Sequence, residues 1–380
     1  MSAARQKGRL VVARLTTLAG LVVILHTPSF PQSGKIPSDQ KKQIQTAVAK
    51  FMAERRAPGV AVAVVENGEY AWSSGFGMAD LENSVPVTPQ TLFRLGSISK
   101  PLTSVAAMQL WEQGKLDLDA PVQKYCPAFP QKEAPITTRQ LLGHLAGIRH
   151  YRSDADDDAE IGNTRHYNDP IAGGLNLFKE DPLVSRPGAH YNYTTHGYTV
   201  IGCAIEGASG ERYVDYLTKH LYVPAGMAQT QADDRYSIVL HRTRFYHRRK
   251  SGEIVNADFL DSSYKIPGGG WLSSADDLAK FSLALMNDSL VKRSTRDLMW
   301  TALRPADGSE STYGLGWGIL HTLSVPAVEH RGGQQGTSTA LVIAASRRSA
   351  VVVLTNMDDV DAGDLAESVM RIVLKSSAAR

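Results

Sequence analysis

The chain has 380 residues, 43% of them hydrophobic and 21% charged, which is ordinary globular composition with ample material for a large core. A formal net charge of +3 is too mild to argue for a nucleic-acid partner. The two cysteines, Cys126 and Cys203, exclude a disulfide framework and show no metal-ligand spacing; Cys203, inside the apolar run Val200 to Ile205, reads as a small buried hydrophobe.

Arg5, Lys7, Arg9 and Arg14 precede an apolar stretch from Leu15 to Leu25, followed by Pro28, Pro31 and Gly34. A basic segment leading into a short apolar one matches a secretory signal peptide better than an amphipathic mitochondrial presequence. Counted from Leu10, the same stretch approaches a membrane anchor, with Arg14 as the objection. Residues 1–34 are therefore set aside as a signal peptide or N-terminal membrane tether. The location they imply is exported, periplasmic or secreted.

Residues 35–380 read as one domain. Ser38 to Arg56 carries Ile44, Val48 and Phe51 on one helical stripe, and Pro58-Gly59 stops it. Two apolar runs, Val60 to Val65 and Tyr70 to Ser73, flank Asn67-Gly68, a strong hairpin signal. Helical spacing resumes at Leu102, Val105, Ala106 and Leu110, and prolines make 115–135 irregular. Thr137 starts another helix ending near Gly147. The acidic stretch Arg152 to Asp169, with His150 and His166 close by, has no ligand spacing and reads as a solvated loop.

Further helices are expected over Tyr198 to Ala208 and Glu211 to His220, and a basic hairpin turns at Lys250-Ser251-Gly252. Pro267-Gly268-Gly269-Gly270-Trp271 reads as a flexible crossing, after which Ser273 or Ser274 caps a helix carrying Leu278, Phe281 and Leu285. Four apolar or alternating runs between Tyr313 and Thr355 look like antiparallel strands, and Asp361 to Leu374 closes as a helix. The fold class is thus α+β. An antiparallel sheet with terminal helices comes from about 35–96 and 266–380, and a mostly helical part from about 97–265.

Ser97 and Lys100 sit three residues apart where a polar turn enters the helix around Leu102. That spacing puts a hydroxyl and an amine on one face, and the free N–H groups of a helix start can bind an oxyanion. Serine needs a base, and lysine is protonated in water unless burial or a neighbour lowers its affinity for the proton. A tyrosine can relay the proton instead. Arg186-Pro187-Gly188 leads into Tyr191, Tyr193 and Thr195 at a helix entry. His330-Arg331-Gly332-Gly333 ends a late strand, with glycines that admit a substrate to backbone N–H groups.

These three stretches resemble, in order, the three boxes of serine β-lactamases and penicillin-binding proteins. Ala57-Pro58-Gly59, Leu110 to Asp119, His144 to Tyr151 and Gly268-Gly269-Gly270 resemble one branch in particular, the serine β-lactamase-like proteins of mitochondria and their bacterial relatives. The resemblance runs from about residue 38 to the end. It implies a β-lactamase/transpeptidase-like fold and an acyl-enzyme mechanism with no metal and no cofactor. Ser97 would be the nucleophile, Lys100 its partner in proton transfer, and Tyr193 the general base, with Tyr191 as its rival. The N–H groups of Ser97 and Gly333 would form the oxyanion hole, and Thr195, His330, Arg331 and Gly332 would line the substrate.

Two departures stand out. Thr195 replaces the usual Asn of the second box, and His330-Arg331 replaces the Lys-Thr of the third. Both weigh against efficient antibiotic hydrolysis; Arg331 compensates only if it points inward. The implied partner is a peptide or small molecule, with amide hydrolysis ahead of ester hydrolysis. The rival from another class is a non-catalytic, filament-forming scaffold, against which the intact Ser97, Lys100 and Tyr193 argue.

Overall fold

The computed structural model describes residues 36–152 and 164–378. The signal-or-anchor segment and most of the acidic stretch after Arg152 lie outside them. The first helix, α1 (Ser38–Arg55), buries Gln40, Ile44, Val48 and Phe51 on one stripe, and Arg56 ends it in the left-handed region. Strands β1 (Gly59–Glu66) and β2 (Glu69–Asp80) follow, joined at Asn67 and Gly68, which both have positive φ. That pair of angles matches the right-handed twist of a tight hairpin. A short β3 (Val85–Pro86) adds the edge.

The other strands come from the far end of the chain: β4 (Gly318–Leu320), β5 (Ala327–Gln334), β6 (Thr337–Ala344) and β7 (Ser349–Thr355). Together they make one seven-stranded antiparallel sheet, ordered β3-β2-β1-β7-β6-β5-β4. Val62 of β1 faces Val353 of β7, so the two ends of the chain meet in the middle of the sheet.

All eight residues of β1 are buried, which explains why its sequence runs apolar instead of alternating. Val60, Val62 and Val64 pack with Ile44, Val48 and Phe51 of α1, and with Leu365, Val369 and Val373 of the closing helix α6 (Ala362–Ala378). Ala61, Ala63 and Val65 face the other core, which contains α2 (Ser99–Glu112), α4 (His196–Ser209) and α5 (Ala275–Met286). Burying each Val or Ile contributes roughly 1.5–3 kcal/mol, so both layers are strongly fixed to the sheet. Ser274 caps α5 by accepting from the Asp277 N–H.

The helical part holds one more short helix at the site, α3 (Thr138–Leu142), which ends before the expected Gly147. It starts with a reciprocal capping box between Thr137 and Gln140. Every residue of α2 from Ser99 to Leu110 is buried, so this helix runs through the core instead of lying on it.

Two expectations are corrected. Cys126 and Cys203 are bonded to each other across 77 residues, so Cys203 is buried but is not a free hydrophobe. Residues 267–270 are no flexible crossing: Ile266–Gly269 forms a short helix, all of it buried, and Trp271 is fully buried. The glycines serve close approach there, since a Cβ on Gly268 would stand 2.6 Å from Thr195 Cγ2.

Candidate active site

Ser97 lies in a single tight turn, Gly96–Ile98, that runs straight into α2. Gly96 takes a left-handed φ of +52°, and a Cβ there would sit 2.8 Å from the backbone nitrogen of Gly333. Gly332 allows an equally close approach, because its Cβ would fall 2.0 Å from the carbonyl oxygen of Leu95. Thr337 and Thr339 of β6 complete the junction by donating to the carbonyls of Arg94 and Leu95 at 3.0 and 2.8 Å. The turn carrying Ser97 is thus pressed onto β5 at Gly332-Gly333. Gly96, the residue before Ser97, therefore lies against the Gly333 amide, and a Cβ on Gly333 would meet nothing within 4 Å.

Lys100 is fully buried in the first turn of α2. Its Nζ lies 2.8 Å from Ser97 Oγ, 3.2 Å from Thr195 Oγ1 and 2.8 Å from the carbonyl oxygen of Gly268. Among the described residues no carboxylate pairs with it. Burial, reinforced by the positive Lys265 nearby, holds its pKa well below the usual lysine range.

Tyr193 stands beside this pair. Its Ser97-facing phenol has Ser97 as its hydrogen-bonding neighbour, and the Lys100 Nζ stands 4.7 Å from its ring centre. The segment around it is fastened to 144–150: Asn192 N–H donates to the His144 carbonyl, Thr194 N–H to His144 Nδ1, and Thr195 N–H to His150 Nδ1. Burial pushes the Tyr193 phenol above its ordinary pKa, so it rests protonated. Tyr191, the rival, is 41% exposed, and its ring meets His144 and Tyr313 instead of Ser97.

His330 is buried and neutral, its pKa lowered to about 3 by burial and by Lys100. Its Nδ1 lies 2.8 Å from the Arg331 carbonyl, which can only accept, so Nδ1 carries the proton. Nε2 then accepts from the Tyr313 hydroxyl at 2.8 Å. Arg331 does not point inward. Its guanidinium binds Glu329, Asp361 and Glu367, and Gly363 at the start of α6 leaves room for it. The period of two along β5 puts His330 and Arg331 on opposite faces.

The structure therefore brings together Ser97, Lys100, Tyr193, Thr195, His330, Gly332 and Gly333, and leaves Arg331 outside. Sequence reasoning missed His144, Tyr313 and Lys265. A lysine inside the apolar and glycine-rich stretch Tyr264 to Trp271 was the one signal that pointed to the last. His150 and His166 do not meet as metal ligands: His150 braces Thr195, and His166 Nδ1 lies 3.0 Å from Asp261. Among the described residues, metal-type donors gather at His247, Asp358 and Asp359, none of them in the three boxes.

The sequence model of the β-lactamase family matches residues 44–373. The chain is 33% identical to the human mitochondrial serine β-lactamase-like protein LACTB over 376 residues, covering 76% of this chain and 69% of that one. Among solved structures, the octameric penicillin-binding protein homologue from Pyrococcus abyssi superposes with a TM-score of 0.77 at 26% identity, over 88% of this chain and 77% of that one. The D-amino acid amidase from Ochrobactrum anthropi SV3 shares the fold, with a TM-score of 0.75 at 21% identity, over 90% of this chain and 99% of that one. The three boxes meet around Ser97 inside the span that the family model covers, and the chain belongs to the β-lactamase family, with the penicillin-binding proteins as relatives.

Proposed function

We propose that this chain is a serine hydrolase that is acylated at Ser97 and cleaves amide bonds of peptide-type substrates. The observation that carries this reading is Lys100, buried without a carboxylate and 2.8 Å from Ser97 Oγ. A neutral amine has two N–H bonds and one lone pair. Gly268 O and Thr195 Oγ1 accept the two N–H bonds, which leaves the lone pair for the Ser97 hydroxyl proton.

In the proposed acylation, Ser97 Oγ bonds to the carbonyl carbon as its proton passes to Lys100. The oxyanion gathers charge at the N–H groups of Ser97 and Gly333. Tyr193, protonated at rest, gives its proton to the leaving amine as the C–N bond breaks, and takes one back from Lys100. Water then releases the acyl group by the reverse relay. This assigns the base to Lys100 and the acid to Tyr193, because a buried phenol holds its proton more firmly than a buried ammonium does.

Esters are the second substrate class, since they need the same acyl transfer with an easier leaving group. Efficient β-lactam hydrolysis is disfavoured: His330 is neutral and Arg331 is tied to α6, so neither supplies the cation that the third box uses for a substrate carboxylate. Export to an oxidising compartment fits the Cys126–Cys203 bond, which reducing cytosol would not maintain.

Intact-mass analysis after exposure to a fluorophosphonate tests the enzyme reading. The expected result is one adduct on the wild type and none on Ser97→Ala. An unmodified wild type would instead favour a non-catalytic scaffold.

A further inference from the structure

His144 shows two departures from ordinary packing that the three boxes leave unexplained. Just past the end of α3 it takes a φ of +59°, in the left-handed region that side chains of its bulk rarely enter. Its ring is completely buried, and Nε2 has no hydrogen-bond partner. Nδ1 accepts from the Thr194 N–H at 3.2 Å, so the ring proton sits on Nε2. Burial, helped by Lys100, His330 and His150, holds the ring's pKa well below its ordinary value, so the ring stays neutral and Nδ1 stays an acceptor. A strained backbone and an unsatisfied buried donor both cost stability, and such costs collect at functional positions.

What His144 holds is the chain on both sides of Tyr193. Its carbonyl accepts from the Asn192 N–H at 2.8 Å, and its ring accepts from the Thr194 N–H. Neighbours strengthen the grip: Ile148 O accepts from Asn192 Nδ2 at 2.9 Å, and Arg149 O from the Thr194 hydroxyl at 2.6 Å. The His144 ring also lies 4.3 Å centre to centre from the Tyr193 ring, nearer than His150 at 5.7 Å or His330 at 6.5 Å. Tyr313 and Tyr198, at 4.8 and 5.3 Å, back the His144 ring in turn. A tyrosine aims its hydroxyl through its backbone direction and its ring rotamer, and His144 bears on both.

We propose that His144 is the positioning residue that aims the Tyr193 phenol at the leaving group, and that substrates whose leaving group must be protonated depend on it. This role rests on the serine-hydrolase reading and adds to it a residue outside the three boxes. In the step concerned, the bond from the acyl carbon to the leaving atom breaks and its electron pair stays on that atom. The Tyr193 O–H proton moves to the same atom, and the Lys100 ammonium returns a proton to Tyr193. His144 touches none of the reacting atoms. With the phenol misaimed, Ser97, Lys100 and the oxyanion N–H groups remain in place, so attack proceeds while departure of a basic leaving group stalls.

The test compares kcat/KM for phenyl acetate and p-nitrophenyl acetate, which share an acyl group and report acylation of Ser97. Nitrophenolate leaves without a proton, whereas phenol departs best with one. The ratio of the two values is independent of the folded fraction. His144→Phe and His144→Gln each remove the acceptor from the Nδ1 position, and either one that folds carries the test. His144→Asn keeps a side-chain oxygen near that position and tolerates the left-handed φ. A misplacement of about 1 Å is worth on the order of 10²-fold. The nitrophenyl-to-phenyl ratio should therefore rise about tenfold or more in His144→Phe or His144→Gln, and return towards the wild-type value in His144→Asn. Tyr193→Phe should raise it at least as far.

An unchanged ratio in the variants lacking the acceptor, or equal losses on both esters, overturns the positioning role while leaving the hydrolase reading standing. So does a ratio in His144→Asn no closer to wild type than theirs. Wild-type protein that cleaves neither ester faster than Ser97→Ala removes the hydrolase reading, and the positioning role with it.

Discussion

Gly332→Ala is the sharpest probe of how Ser97 is held. The new Cβ would stand 2.0 Å from Leu95 O and 2.4 Å from Thr339 Oγ1, whereas ordinary contact begins near 3.4 Å. Neither neighbour yields easily: one is backbone, and the other is the hydroxyl that donates to that same carbonyl at 2.8 Å. The turn and β5 must then part by about 1.4 Å, which separates the Ser97 and Gly333 amides. A displacement of about 1 Å at a reacting centre costs on the order of 10²-fold in rate. Overpacking of this kind costs about 1–3 kcal/mol in stability, which a protein of this size survives. The assay is the fluorophosphonate labelling constant at Ser97, with thermal unfolding as the folding control. Labelling at the wild-type rate by a folded Gly332→Ala protein would refute the argument that contact with β5 builds the oxyanion hole.

Other consequences follow from the same contacts. Replacing Cys203 by Ala opens a cross-link over 77 residues, and the chain-entropy relation gives a loss of about 4.5 kcal/mol, readable by denaturant titration of oxidised against variant protein. Asp233→Ala leaves Arg94, only 7% exposed, without its carboxylate, and should cost about 3–5 kcal/mol by the same measurement. Arg331→Gln should leave Ser97 labelling unchanged while loosening the join between β5 and α6; a large loss of labelling would return Arg331 to the site. For Lys265 the folded pKa lies below the unfolded one, so between about pH 7 and 10.5 the unfolded chain binds the extra proton. Stability should therefore rise with pH across that window, by at most about 1.4 kcal/mol per pH unit for this group, and less steeply in Lys265→Met.

Much of the architecture was legible because it rests on local patterns. The valine run before Asn67-Gly68 and the alternating runs after Val325 identify the sheet, and helical spacing after Lys100 identifies α2. The site was legible where a short-range pattern carries it: Ser97 and Lys100 are one turn apart, and Pro187-Gly188 marks the approach to Tyr193. What stayed hidden depends on partners far along the chain. Nothing near Cys126 announces Cys203, and their bond is created by the packing of α4 against the 115–135 segment. Lys265 looks like an ordinary loop lysine until Gly269 and the rings of Tyr151 and Tyr264 close around it. Arg331 is a different kind of miss. Strand periodicity alone separates it from His330, and following the alternation from Val328 would have turned it outward.

In the proposed mechanism Ser97 is activated by Lys100, whose affinity for the proton burial lowers. The most direct measurement is the pH dependence of acylation at Ser97, followed as fluorophosphonate labelling in wild type and in Lys100→Met. Wild-type acylation should fall only on the acid side, with a midpoint well below 10.5, the ordinary value for lysine. Lys100→Met should lose about 10²–10⁴-fold and with it that limb of the profile. A rate that climbs until about pH 10.5, or a Lys100→Met protein that acylates as the wild type does, would contradict it.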